Sequence, residues 1–458
     1  MQLTKHQALW LGVFHITAFF WHNNTRGDYM KSIWNDIDKL KFNSLDGDIK
    51  TDVLIIGGGM CGVLCAYMLK EVGVDCVLVE ADRICNGVTN GTTAKITLQH
   101  GLIYDKIMKR YGLEKAQLYY ESQKSAMEKL KSLAKKTGSD FETCNNVVYS
   151  LDDREAIEKE VRALEKVGCT AEFLQKTELP YDIAGAVKVG EQGKFHPLKF
   201  AYGITDGLKI YENTKILELK PHSAKIHQGK ISAKTIIVAT HFPFLNKHGS
   251  YFLKMYQHRS YVLALENAPD IKDMYVDEAK DGLSFRTHNG LLLLGGGSHR
   301  TGSKGGNWAE LEKTAKKYYP SAEEADRWAT QDCMTLDSIP YIGQYSKSTP
   351  DLYVATGFNK WGMTSSMVSA MLLSDMICGK KSKYQELYSP SRSVIHPQLA
   401  INMLESVKGL VTPTAPRCPH LGCALKYNKE EHSWDCPCHG SRFDESGKLL
   451  NNPATDDK

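Results

Sequence analysis

Thr51-Asp52-Val53-Leu54-Ile55-Ile56 is a short β-branched apolar run, and three glycines follow it at once, Gly57, Gly59 and Gly62. A run of this kind between polar flanks suits a strand buried on both faces. The G-x-G-x-x-G spacing then admits few structures. One glycine makes the tight turn, one lets the backbone approach a ligand closely, and one lets the next helix pack on the sheet. The predicted helix covers 60–72, with its N-terminal amides facing an anion such as a pyrophosphate. Ala66 lies four residues after Gly62, Gly73 ends the helix, and a predicted second strand over 75–79 closes on Glu80. A carboxylate there is placed to bond adenosine ribose hydroxyls and disfavours the extra phosphate of NADP. The chain therefore begins a parallel α/β fold around a dinucleotide.

At ~150 residues per domain, 458 residues imply about three domains. A composition of 42% hydrophobic and 24% charged residues argues against both disorder and a membrane bundle. A net charge of +4 without a basic block excludes an electrostatic footprint for nucleic acid. No nucleic acid partner and no stable membrane insertion are expected. The apolar run at 8–21 is interrupted by His15 and Thr17 and lacks a small-x-small cleavage site. It is also shorter than the ~20 residues of a spanning helix. Translation from Met30 and a cytoplasmic location are expected, with an export signal as the alternative. Of the twelve cysteines, four fall within 418–438. The scattered ones, such as Cys61 and Cys65 one helical turn apart, read as packing thiols.

The segment after Glu80, Ala81-Asp82-Arg83 and then 87–95, is small and rich in hydroxyls and glycine, which suits a bulky extended cofactor. Here the chain resembles the D-amino-acid oxidase/glycine oxidase (DAO-type) family of FAD-dependent amine oxidoreductases. The resemblance implies FAD contacts at Gly57, Gly59, Gly62, Glu80, Ala81, Thr89, Thr93, Ala94 and Lys95. Gln192–Pro197 and Tyr211–Ile216 resemble the family's stretch beside the adenine, with backbone contacts at Ile216. Thr235–Thr240 resembles its "ATG" strand ending, although His241 replaces the glycine. Asp337–Gly343 and Leu352–Thr364 resemble its C-terminal flavin segment, implying contacts at Gly357, Gly362, Met363 and Thr364. The helix predicted over 365–377 would turn its positive end to the flavin. A second glycine cluster, 295–297, has Arg300 where a third fingerprint glycine would stand and no strand-plus-acid after it. It reads as a strand beside the substrate domain and not as a nicotinamide site. Apolar faces over 114–136 and 153–167 predict packing helices.

Cys418-Pro-His420-Leu-Gly-Cys423 and Cys436-Pro-Cys438-His439-Gly440-Ser441 resemble a Rieske iron-sulfur site. The resemblance implies Cys418 and Cys436 on one iron of a 2Fe-2S cluster and His420 and His439 on the other. Four-coordinate zinc on the same residues is the alternative. Cys423 and Cys438 resemble the loop-bridging disulfide of respiratory Rieske proteins, a bond that a reducing compartment leaves open. Few strand-like residues surround the motif, so the cluster is expected to lean on the flavin domain for cover.

The expected fold is an α/β FAD-binding Rossmann-like domain with an inserted α+β substrate domain, followed by a small all-β Rieske-like domain. The expected boundaries are an N-terminal extension at 1–49 and the oxidoreductase at 50–390. Within it the FAD domain takes about 50–110, 190–245 and 330–380, and the substrate domain about 111–189 and 246–329. The Rieske-like domain takes 391–458. A flavin accepts hydride and a two-His cluster carries single electrons at roughly −150 to +300 mV. Their union suggests oxidation of an amine or amino acid C–N bond to an imine, with electrons leaving through the cluster. A non-catalytic relay and a flavin monooxygenase are the alternatives. Asp332 follows Trp328-Ala329, where the glycine-oxidase branch has a carboxylate-clamping arginine. An acid there favours a cationic, polyamine-like substrate, with a structural salt bridge as the other reading. Arg286 and Lys360 are further substrate-side candidates, and His258 and His288 weaker ones.

Overall fold

The computed structural model describes residues 32–246, 248–413 and 416–458; the apolar run at 8–21 and Met30 lie outside the described residues. Strand Ile49–Ile56 lies between Cys76–Val79 and Gly229–Val238, parallel to both. Lys209–Tyr211 and Leu352–Thr356 extend this parallel sheet on either side, and Tyr341–Gln344 closes one edge antiparallel. Leu54, Ile55 and Val238 have no exposed surface, because both faces of the sheet are covered. Helix Met60–Glu71 is apolar almost all round, and it buries that surface against the sheet and against helix Gly362–Ile377.

A second, mixed sheet runs in the order Glu323–Thr335, Met255–Glu266, Leu291–Arg300, Ser284–His288, Met274–Asp277, Glu142–Ser150, Gly185–Lys194 and Lys95–Ile96. The glycine cluster 295–297 lies inside one of its strands, as expected. Helices Leu113–Lys136 and Arg154–Lys166 bury the predicted stripes, among them Leu130, Leu133, Ile157 and Leu164.

Two details depart from the expected boundaries. Strand Glu323–Thr335 pairs with Met255–Glu266 from Met255↔Thr335 to Glu266↔Glu323, with one register shift between Ala264 and Leu265, so a division at 329/330 would cut through a continuous stretch of ladder. Residues 32–49 form part of the cofactor domain's wall instead of a separate extension. Trp34 is fully buried, and its Nε1–H donates to Thr92 O at 2.7 Å. Beyond the parallel sheet, helix Pro397–Val411 leads to a small antiparallel sheet of Lys426–Asn428, Ser433–Asp435, Arg442–Asp444 and Leu449–Asn451. Among the described residues no helix is long and apolar enough to cross a membrane.

Candidate active site and metal centre

A cavity of about 1100 Å³ opens at the carboxyl ends of the parallel strands, lined there by Ile56, Val79, Ala239 and Ala355. The glycine loop is built for close approach. Gly57 has φ +107°, and a Cβ on it would lie 2.7 Å from Ala239 O. A Cβ on Gly62 would lie 1.9 Å from Gly57 O, so only glycine lets the helix sit this near the strand. Thr89 Oγ1 accepts from Met60 N at 3.0 Å, tying the 87–95 loop to the first turn of that helix. Glu80 accepts from Gly58 N at 2.7 Å and Asp82 N at 3.0 Å, and burial raises its carboxyl. Ala81, Thr93, Lys95, Ile216, Gly362 and Met363 line the same cavity with Gly57, Gly59, Glu80 and Thr89. A long groove with glycine backbone at one end and a helix N-terminus at the other fits an extended dinucleotide.

Other expected contacts sit behind the wall. Ala94 is fully buried, and a Cβ on Gly357 would lie 2.3 Å from Thr335 Cγ2. Thr364 donates to Thr97 O at 3.1 Å inside the core. Arg286 is a correction to its expected substrate-side place. Its guanidinium is wholly buried, donates to Thr93 O at 2.7 Å and Ala94 O at 2.9 Å, and lies over the Trp34 ring. It braces the cofactor loop from behind because those turned-back carbonyls need a donor in a dry place. His288 packs beside Trp34, also away from the cavity.

The strand alternation sorts the remaining candidates. Tyr256, His258 and Ser260 on one strand and Thr330, Asp332 and Met334 on its neighbour line the cavity, all even-numbered. Asp332 makes no salt bridge among the described residues; burial pushes its carboxyl up to about 6, opposed by the Lys360 charge. The Lys360 amine donates to Ser298 Oγ at 3.2 Å, and burial lowers its pKa. Among the described residues both ring nitrogens of His258 lack a hydrogen-bond partner, and burial holds the imidazole neutral.

Odd-numbered residues of the same strands, Gln257, Arg259, Tyr261 and Gln331, meet the C-terminal module, and Tyr261 also lines the cavity. Gln257 Nε2 donates to His439 O and Asn452 O, each at 2.8 Å, and Gln331 Nε2 donates to Gly440 O at 2.8 Å. Arg259 Nε donates to Glu431 Oε1 at 2.9 Å. From the strand end, Arg300 donates to Pro437 O and Cys438 O, both at 3.1 Å, and stands over the Tyr256 ring.

In that module two loops face one another. Cys418 N donates to Cys423 O, and Cys436 N to Ser441 O, both at 2.8 Å, so each loop is pinned across its mouth. Cys423 and Cys438 are disulfide-bonded, leaving Cys418 and Cys436 as the buried thiols. The ring centroids of His420 and His439 are 4.9 Å apart. Among the described residues His420 Nδ1 and both His439 nitrogens are buried without a hydrogen-bond partner, an orphaned set that fits a ligated group. Asn246 Oδ1 accepts from His420 Nε2–H at 2.8 Å, which leaves the Nδ1 lone pair for a metal. Burial keeps both imidazoles neutral, and contact with Cys436 and nearby N–H groups draws Cys418 down to about 7. Neutral imidazoles and an acidified Cys418 suit ligation, whereas the Cys436 thiol is raised by its hydrogen bond with Cys418 and by burial and would have to lose its proton to a ligated group.

Sequence reasoning missed Gln257, Gln331, Arg259, Arg300 and Glu431. The signal was present as Gln257 and Arg259 two residues apart on one strand, a spacing that sets polar groups on one face and implies a polar partner there.

Comparisons with known proteins agree with this geometry. The FAD dependent oxidoreductase (DAO) family model matches residues 52–376, and the Rieske 2Fe-2S domain model matches 378–457. A Bacillus subtilis chain named as the Rieske 2Fe-2S iron-sulfur protein YhfW is 34% identical over 480 residues, covering 91% of this chain and 94% of that one. The gamma-glutamylputrescine oxidoreductase of Escherichia coli is 23% identical over 378 residues, 75% of this chain and 87% of its own. The crystal structure of glycine oxidase from Geobacillus kaustophilus superposes with a TM-score of 0.63 at 18% identity, over 75% of this chain and 99% of that one. The Rieske match decides against zinc at the cysteine–histidine loops. The chain belongs to the DAO family of FAD-dependent oxidoreductases and carries a C-terminal Rieske domain that binds a 2Fe-2S cluster.

Proposed function

We propose that the chain oxidises the C–N bond of a small amine or amino acid to an imine and sends the electrons through its own Rieske module to an external acceptor. One observation carries this reading. The strand pair Met255–Glu266 and Glu323–Thr335 lines the cofactor cavity through Tyr256, His258 and Asp332 and holds the cluster module through Gln257, Arg259 and Gln331, and module residues Leu449 to Asn452 border the same cavity. When bound, FAD supplies two-electron uptake from a C–H bond and the cluster supplies one-electron carriage. The protein's own part is positioning. Asp332 sets a carboxylate in the cavity to attract a substrate cation, and Lys360 with Ser298 and Ser260 supplies hydrogen bonds beside it. Gln257 and Gln331 hold the second cluster loop against the back of the same strands. The likeness to gamma-glutamylputrescine oxidoreductase supports an amine-bearing substrate.

The test is an anaerobic titration of the purified holoprotein with amines and amino acids, followed by visible absorption and electron paramagnetic resonance. Flavin bleaching together with a reduced-cluster signal is expected. Bleaching without cluster reduction would sink the relay, and no bleaching by any amine would sink the dehydrogenation. Cys436→Ser should keep the bleaching and abolish the cluster signal.

A further inference from the structure

Helix Pro397–Val411 is amphipathic in the reverse sense for a helix on a protein surface. At about 3.6 residues per turn, Ile401, Met403, Leu404, Val407, Leu410 and Val411 fall on one half of it, and Gln398, Asn402, Glu405, Ser406 and Gly409 on the other. The polar half is the one that packs on the protein. Asn402 Oδ1 accepts from Arg300 Nη1 at 3.0 Å, Asn402 Nδ2 donates to Leu253 O at 3.3 Å, and a Cβ on Gly409 would lie 2.5 Å from Cys438 Sγ. The apolar half stands outward, with Leu404 69% and Val411 72% exposed, and Ile395 ahead of the helix is 82% exposed. Apolar side chains scattered singly over a surface need no explanation, but six on one stripe mark an interaction site. Cations border the stripe. Lys408 is exposed within it, Arg417 donates to Leu410 O and Thr412 O at its C-terminal end, and Arg110 donates to Ile395 O at the other. Across 393–413 the only acid is Glu405, on the inward half.

We propose that this face lies on an anionic lipid bilayer, in the plane of the interface and without crossing it. An apolar stripe with cations at its edges is what such a surface takes: the apolar side chains enter below the headgroups and the cations meet lipid phosphates. A second copy of the chain is a poorer occupant, because it would crowd Lys408 and Arg417 against their own counterparts. The consequence concerns the cluster. The inward half of the helix touches the disulfide between the cluster loops, and Arg417 also donates to Gly422 O at 3.1 Å, tying the first loop to the helix end. Seated this way, the protein holds the cysteine–histidine loops one helix diameter, about 10 Å, from the lipid. Electrons leaving the module would then pass to an acceptor at the membrane; that consequence rests on the proposed relay, and the docking does not.

The test is flotation of the purified, oxidised holoprotein with vesicles of phosphatidylcholine alone and of phosphatidylcholine with phosphatidylglycerol, in the absence of substrate. Binding to the anionic vesicles should be about tenfold or more tighter than to the neutral ones and should weaken with added salt. Leu404→Glu combined with Val407→Glu changes two exposed positions and leaves the inward contacts intact. It should reduce binding about tenfold or more while the flavin absorbance and the cluster signal stay unchanged. Lys408→Glu should remove much of the preference for anionic vesicles. Phe14→Glu combined with Phe19→Glu, in the apolar run at 8–21, should leave binding as it is. Failure to bind either vesicle, undiminished binding by the Leu404 and Val407 variant, or a loss confined to the Phe14 and Phe19 variant would overturn the docking. So would a dimer, seen by sedimentation, that the Leu404 and Val407 changes dissociate, because a second copy then covers the face. No amine takes part, so loss of docking would not touch the proposed oxidation, nor the reverse.

Discussion

Replacing Glu431 with alanine is expected to release the cluster module from the flavin domain. Glu431 is 7% exposed and accepts from Arg442 Nη2 at 2.9 Å, Tyr261 OH at 2.8 Å and Arg259 Nε at 2.9 Å. Arg259 and Tyr261 belong to the cavity strand, whereas Arg442 belongs to the module and also pairs with the buried Asp435 at 2.9 Å. One carboxylate thus joins the two halves. Removing a partner from a buried charge cluster typically costs about 3–5 kcal/mol. The cluster's visible dichroism should melt ahead of the flavin signal, and substrate-driven cluster reduction should slow more than tenfold while flavin bleaching persists. Coincident, unshifted transitions would refute this role. The same contacts give a pH dependence of known sign. The two guanidinium groups hold the Glu431 carboxyl far below its ordinary value despite burial. Its contribution is complete above the ordinary glutamate pKa of ~4.3 and is lost as pH falls below that towards the depressed folded value. Glu431→Gln should remove that acid sensitivity.

Gly62→Ala is expected to yield protein without bound FAD. The added Cβ would meet Gly57 O at 1.9 Å and Ile55 Cγ2 at 3.5 Å, and the first of these is backbone that cannot swing aside. The helix must move off the strand, carrying with it the Met60 amide that Thr89 holds. Overpacking typically costs about 1–3 kcal/mol, and a backbone clash of this depth lies at or beyond the upper end. Gly59→Ala is the matching control. Its Cβ would meet only Thr89 Oγ1, at 3.7 Å, yet Gly59 lines the cavity. It should keep the fold and melting temperature while losing flavin affinity. Flavin absorbance per chain, set beside far-ultraviolet dichroism, separates the two outcomes. Full flavin content in Gly62→Ala would contradict the packing argument.

The parallel sheet, its glycine loop and the two cysteine–histidine loops were legible in the sequence because each rests on local spacing: a strand, a turn and a helix in succession, or ligands two and three residues apart. The position of Arg286 was not legible. A buried arginine and a cavity-lining one look alike in a strand, and only the tertiary fold brings the Thr93 and Ala94 carbonyls over it. The docking of the module was hidden for a similar reason. Gln257 and Gln331 lie 74 residues apart, and nothing local reveals that Gln331 Nε2 donates to Gln257 Oε1 at 2.7 Å or that both turn to the same loop. The absence of a salt bridge at Asp332 among the described residues likewise depends on strand register, which sets His258 directly opposite it.

The shared strand pair also bears on any attempt to cut the chain into separate parts. Ending it before the cysteine–histidine loops would strip Gln257 and Gln331 of the carbonyls of His439, Gly440 and Asn452 and open their face of the sheet to water. The shortened flavoprotein would then expose, behind its own catalytic cavity, a polar strand face shaped for another polypeptide. Converting this protein into a free-standing oxidase therefore requires redesigning the back of the sheet, because the surface that an independent enzyme would show to solvent is here the interior of an assembled whole.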